Sequence, residues 1–200
     1  VSEIAELAKA IFDGYAAMSP PHLPPDRWSA LQVRLHRWEI TTYGLATFDD
    51  VVHGVVEEWC RESNEAVGHE ALVDAIADTM IFCIQACTHW RLDFGVIFGE
   101  ARPRAARLSR DGAETSAAIG VGMLAEVARK TRQQFRGGWS NDRARAQVAE
   151  AVGRLVAGCA YHCEEDAYAD TREPLDALIF RVAEHVMKRV NPARVEEVPR

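Results

Sequence analysis

Two pairs of carboxylates carry the strongest chemical signal in the sequence. Glu58 and Glu62 stand four residues apart, as do Asp74 and Asp78. On a helix that spacing places both members of a pair on one side, a turn apart. Around the first pair, Val51, Val52, Val55, Val56, Trp59 and Cys60 make an apolar face with Glu58 and Glu62 along its edge, while Glu57 points to the polar side. Around the second, Leu72, Ile76, Met80, Ile81, Phe82, Cys83, Ile84, Cys87 and Trp90 leave one polar stripe, made of Asp74, Asp78, Gln85 and His89. That stripe spans an arc of about 60°. Two consecutive helices can therefore aim four carboxylates at one gap. Carboxylates brought together in a low dielectric repel and protonate unless a counter-charge joins them. A hard divalent cation answers this: Mg²⁺, with Mn²⁺ as a substitute, takes carboxylates from a protein and oxygens from a substrate phosphate. The chemistry implied is phosphate chemistry. A solvated acidic stripe with intrahelical partners explains the same pattern without a metal, and both readings stand at this point.

The second half of the chain offers an internal comparison. Residues 54–58 match 122–126, 68 positions later, and 74–87 match 150–163, 76 positions later, with an insertion at 133–141 absorbing the difference. At the matched positions Glu126 is followed by Lys130 and Glu150 by Arg154. Such pairs support a helix by roughly 0.2 to 0.5 kcal/mol each, whereas acid with acid costs a similar amount. Only the first copy keeps the costly version. Amphipathic patterning alone generates some matches of this kind, but Cys83 and Cys87 aligning with Cys159 and Cys163 favours a true duplication.

Periodicity and breakers set out the elements that must position these residues. Helices are expected at 2–18, 26–42, 49–66, 70–91, 117–135, 142–164 and 172–190, with apolar residues at spacings of three and four. The Pro-rich run 19–25, Tyr43-Gly44, Gly68, Gly137-Gly138 and residues 171–174 punctuate them, and the basic stretch 102–112 reads as a linker between halves. No stretch alternates like a strand. The expectation is an all-α helical bundle: an N-terminal helix and connection at 1–23, repeat one with the acidic site at 24–108, a degenerate repeat two at 109–192, and a tail at 193–200.

Composition narrows the function classes. With 48% hydrophobic and 26% charged residues in 200, the chain has an ordinary globular make-up and enough length for a sizeable core. A net charge of −7 argues against nucleic acid as a partner, since cationic contacts to phosphates dominate that binding. The longest apolar run, 79–87, is interrupted by Gln85, so no membrane span is expected, and with no signal-peptide pattern a cytoplasmic location is expected. The five cysteines, Cys60, Cys83, Cys87, Cys159 and Cys163, are odd in number and lack a Cys-x-x-Cys pair, which predicts buried free thiols rather than zinc.

On these residues the stretch 28–102 resembles the MazG-like all-α nucleoside triphosphate pyrophosphohydrolases, a superfamily that also contains the dimeric dUTPases. Residues 31–44, with Trp38 and Tyr43-Gly44, look like the first core helix of that family. Glu57-Glu58 followed by Glu62 resembles its Glu-Glu-x-x-Glu signature, and 74–78 its later Glu-x-x-Asp. In strict register the third Glu falls on Arg61 and the second motif's Glu on Ala75, so Glu62 and Asp74 each stand one residue, or about 100° of helix, from the family position. The resemblance implies Mg²⁺-dependent cleavage between the α and β phosphates of a nucleotide, releasing a monophosphate and pyrophosphate. It implies Glu58, Glu62, Asp74 and Asp78 as metal-binding and catalytic carboxylates, and Lys188, Arg189 and Asn191 as the cluster neutralising the remaining phosphates. A homo-oligomer, a dimer by the commonest symmetry, is expected with it. The alternative is a non-catalytic nucleotide-binding or interaction protein that retains the fold. Trp38 is a candidate to stack on a base, or a core aromatic.

Overall fold

The computed structural model describes residues 27–44, 46–133, 139–166 and 173–188, His69 without its side chain. The expected helix at 2–18, the Gly137-Gly138 boundary, Arg189 and Asn191 lie outside the described residues. Within them the fold is all-α, with no strand. In chain order the helices are α1 (Arg27–Thr42), α2 (Phe48–Val56), α3 (His69–His89), α4 (Phe94–Ala101), α5 (Arg110–Arg132), α6 (Asn141–Ala160) and α7 (Leu175–Val186). Two of them run on in π-helical form: α2 through Glu57–Glu62 and one more turn, Ser63–Glu65, and α6 through Tyr161–Glu165.

The apolar circumference of α3 decides the architecture. α1, α2, α6 and α7 all pack on it, and Ile76, Ala77, Met80, Cys83, Ile84, Ala86 and Cys87 are sealed from solvent. Although Gln85 interrupts the apolar run 79–87, from which no span is expected, Glu70–His89 is long and apolar enough to cross a membrane by length and composition, with a mean hydropathy of 1.5. Enclosure accounts for that composition, since 67% of the window is buried against the other helices.

The stretch read as a linker is structured. α4 leads directly into a 3₁₀ turn, Arg102–Arg107, which packs on α6 with Ala101 and Ala105 buried. Pro103 fits because it enters at the start of the turn, where its missing N–H costs nothing. Arg102 reaches over the core edge to Glu164 at 3.0 Å. α5 then starts at Arg110, seven residues before the apolar pattern suggests, because Ser109 caps it by accepting from the Gly112 N–H.

The helices aligned by sequence lie on one another: α2 packs on α5 and α3 on α6. Cys83 sits close enough to Cys159 for their charges to interact, and burial first, then the neighbouring thiols, pushes the Cys159 thiol well up. These cysteines are free and buried as expected, apart from Cys60, which is exposed. Cys60 lies in the π turn of α2, where each residue takes a different bearing from the one α-helical periodicity assigns.

α5 and α6 approach each other backbone to backbone. A Cβ on Gly120 would stand 2.7 Å from the Ala151 carbonyl oxygen, and one on Gly158 would stand 2.8 Å from that of Ala113. Backbone meets backbone at both points, so side chains cannot yield. Gly120→Val is expected to destabilise the protein by about 2 to 3 kcal/mol through overpacking. Gly122→Ala, with nothing within 4 Å of its Cβ, is expected to gain up to about 1 kcal/mol of helix propensity. Denaturant melts of the two variants check this; equal effects would show that the close approach carries no load.

Candidate functional site

The acidic residues are carried by the α2–α3 hairpin, and both starts are fixed locally. Thr47 and Asp50 form a capping box at α2: the Asp50 N–H donates to Thr47 Oγ1 at 3.2 Å, and Asp50 Oδ2 accepts from the Thr47 N–H at 2.7 Å. Gly68 precedes α3 at φ +96°, a left-handed conformation that a side chain would strain, and so lets the chain reverse. Between the helices, the Phe82 ring lies where a Cβ on Gly54 would be, 2.4 Å from it. Gly54 is one turn before Glu58 and Phe82 one turn after Asp78, so this close approach levels the two acids across the antiparallel pair.

The π turn then changes the register on α2. The Ser63 N–H donates to the Glu58 carbonyl, five residues back. In an α-helix a step of four residues overshoots a full turn by about 40°, and a step of three falls about 60° short. With roughly 4.4 residues per turn, a π step of four falls about 30° short. Glu62 thus lies on the same side of Glu58 as a residue three along an α-helix would. The π turn, not α-helical spacing, sets the bearing of Glu62 relative to Glu58.

Glu58 shows the consequence. Burial holds its carboxyl up at about 8, helped by a hydrogen bond to Glu62 and by the negative charges of Asp78, Glu62 and Glu57. No N–H or hydroxyl donor reaches its buried Oε2. Glu62 is thus hydrogen-bonded to Glu58 and Asp78 lies within electrostatic reach from α3, all three half-buried. Asp74 turns elsewhere: it is exposed and lines a groove with Val67, Glu70, Ala71, Val73, Leu178, Arg181 and Val182, where its charge acts on Arg181. One turn nearer the start of α3, it sits where α7 rather than the π turn is the neighbour.

Three features escaped the sequence. Arg61 lies among the acids, with Nη2 at 2.7 Å from Glu57 Oε1 and 2.8 Å from Glu62 Oε1, and Nη1 at 3.5 Å from Glu65 Oε2. Arg181 flanks Asp74 and pairs with Glu173 at 2.8 Å. At the other end of α3, buried Glu39 lies 3.7 Å from His36 Nδ1 and, with Asp50, opposes the burial that lowers the basicity of His89. Spacing can suggest the Arg61 and His36–Glu39 pairings, but Arg181 with Asp74 and Glu39 with His89 join residues distant in sequence. Gln85, expected on the polar stripe, is instead buried. Lys188 is exposed beyond α7, near Glu184. Trp38 is partly buried and meets Tyr43 edge-on at 5.3 Å.

In the second half, Arg154 pairs with Glu150 at 2.9 Å as the spacing predicts. Glu126 does not take Lys130; it accepts from Gln147 Nε2 at 3.1 Å, and Lys130 lies over the Trp139 ring at 5.6 Å. Glu126 keeps an exposed ion pair, but with Arg129 at 3.9 Å rather than with Lys130, whose charge lies over the aromatic face instead.

Among the described residues no group of three His, Cys, Asp or Glu forms a ready metal cage. Mg²⁺ does not require one, since it keeps waters and is held by one or two carboxylates together with substrate phosphates. The hard oxygens of Glu58 and Glu62, with Oε2 of Glu58 unclaimed by any N–H or hydroxyl donor, fit such a cation. No protein-family model, curated protein or solved structure matches this chain.

The raised Glu58 carboxyl makes stability depend on pH. Its folded value of about 8 exceeds the ordinary unfolded one of about 4.3, so its contribution is complete below the unfolded value and is lost as pH rises through about 8. Between those limits the folded state holds a proton that the unfolded state has released. Glu58→Gln should remove this slope and leave the variant more stable than the parent at pH 8.5, by on the order of 1 kcal/mol after solvent screening of a half-exposed group. Melts from pH 5 to 9 test it, and parallel pH curves for the two proteins would refute it.

Proposed function

We propose that the chain is a Mg²⁺-dependent nucleotide pyrophosphohydrolase of the MazG-like kind, cleaving a nucleoside or deoxynucleoside triphosphate to the monophosphate and pyrophosphate. The observation that carries this reading is the meeting of Glu58, Glu62 and Asp78 across α2 and α3 despite the irregular spacing of the motif. A divalent cation, Mg²⁺ or Mn²⁺, would polarise the phosphate and lower the pKa of an attacking water. Glu58 and Glu62 supply its oxygen ligands from one helix face, and Asp78 adds a carboxylate from the facing helix. One of these carboxylates accepts the proton of the attacking water. Lys188, with Arg189 and Asn191 beyond the described residues, is assigned to the remaining phosphates. Asp74 is left out of this set because it faces the α7 groove. The pairing of α2 with α5 and of α3 with α6 supports a second, non-catalytic copy, and we include a homodimer in the proposal.

A second reading is supported by Arg61 and Ala75. Arg61 holds Glu62 and Glu57 in ion pairs, and Ala75 is a core residue where the signature would place a carboxylate. On that reading the protein binds nucleotides without hydrolysing them.

Incubation with a panel of nucleotides and Mg²⁺ or Mn²⁺, with products resolved chromatographically, separates the two. Monophosphate with pyrophosphate is the expected outcome; release of inorganic phosphate would refute the reaction class, and binding without turnover would favour the second reading. Asp78→Asn is expected to lower turnover by about 100-fold or more. It should also relieve repulsion, leaving the metal-free protein at least as stable, while removing the rise in melting temperature caused by Mg²⁺. An undiminished Mg²⁺ shift in the variant would sink the assignment of Asp78. Light scattering should give twice the 22.2 kDa of one chain, and a species at the single-chain mass would exclude the dimer.

A further inference from the structure

We infer that Arg61 is a built-in counter-ion for the acidic face of α2, and that a divalent cation gains Glu62 only by displacing the Arg61 guanidinium from it. The inference rests on the cation-binding reading above and concerns how that site is controlled. One nitrogen, Nη2, bridges Glu57 at 2.7 Å and Glu62 at 2.8 Å, while Nη1 lies 3.5 Å from Glu65. The planar fork of Arg suits such bridging, whereas Lys offers a single centre of charge. The π turn contributes directly. Neighbours in an α-helix diverge by about 100° and those in a π-helix by roughly 80°, which brings Arg61 and Glu62 nearer the same face.

The contact is built to be released. The Arg61 side chain is 51% exposed, so its pairs are screened by water and salt. If Glu62 is taken away, Arg61 keeps Glu57 and Glu65, which are 58% and 67% exposed and lie toward solvent. The guanidinium therefore has somewhere to go. A doubly charged ion bonded directly to Glu58 and Glu62 competes against one shared, solvent-screened arm of a three-acid network.

Calorimetric titration of the full chain with Mn²⁺, without nucleotide, tests this apart from turnover. Arg61→Gln should tighten the Kd by roughly 3- to 5-fold, the scale of one exposed ion pair. Arg61→Lys should fall between it and the parent, and serves in its place if the Gln variant fails to fold. Glu58→Gln should weaken binding, which establishes where the ion sits. Arg181→Gln, which removes one charge beside Asp74, should leave the Kd within twofold. Unchanged or weaker binding in both Arg61 variants, with Glu58→Gln still disrupting it, overturns the counter-ion while sparing the site. Equal tightening by Arg181→Gln reduces the effect to bulk charge and also overturns it. Absence of Mn²⁺ binding in every form overturns this inference, while turnover of the nucleotide panel decides the site reading on its own.

Discussion

Enclosure of α3 on almost every side is the constraint from which the remaining packing follows. Its buried positions run from Ala75 to Thr88, and even Thr79 and Thr88 are sealed, each hydroxyl donating to a carbonyl four residues back, at 2.8 and 2.9 Å. A helix apolar over that much of its surface has to be surrounded, and α1, α2, α6 and α7 surround it. The half-buried edge at Asp78 is where a charged group of α3 meets α2 without entering the core. The candidate site is the place where the enclosure stops.

At that edge the protein keeps like charges close together by two means. A proton on Glu58, shared with Glu62, removes one negative charge at neutral pH, and Arg61 offsets another from the solvent side. Both are reversible, because Glu58 titrates near physiological pH and the Arg61 pairs are exposed. The corresponding α6 position in the second half sets Glu150 between two cations, Arg154 at 2.9 Å and Arg104 at 3.8 Å. This contrast between halves, more than acidity itself, sets α2 and α3 apart.

The close approach of Gly54 to Phe82 links packing to chemistry. Without a side chain at 54, the aromatic ring of α3 can rest on the α2 backbone. The two helices cannot slide past one another without moving that ring, so Glu58 stays level with Asp78. Trp59, the next residue on α2, is buried and faces the His162 ring at 6.0 Å, which anchors the π turn to the end of α6. Both π-helical stretches thus meet at one aromatic contact.

The sequence by itself determined six of the seven described helices, α4 excepted, the free core cysteines at 83, 87, 159 and 163, and the approach of Glu58 and Asp78 across consecutive helices. Helix faces depend on spacings of three and four residues, which a linear pattern records, as in the apolar circumference of α3, whereas the Ser109 cap that starts α5 at Arg110 escaped the apolar pattern. What only the tertiary structure decided is the rotation of side chains about those helices. In the π turn Glu62 takes a different bearing from the one α-helical periodicity assigns, and it lies hydrogen-bonded beside Glu58. Asp74, on the same stripe as Asp78, meets α7 and Arg181 instead of α2, and the basic run 102–107 became a packed turn because Ala101 and Ala105 found α6 beneath them. Periodicity assigns each residue a bearing on an ideal helix, whereas the neighbour that occupies that bearing, and any local departure from 3.6 residues per turn, is set by contacts between segments far apart in the chain.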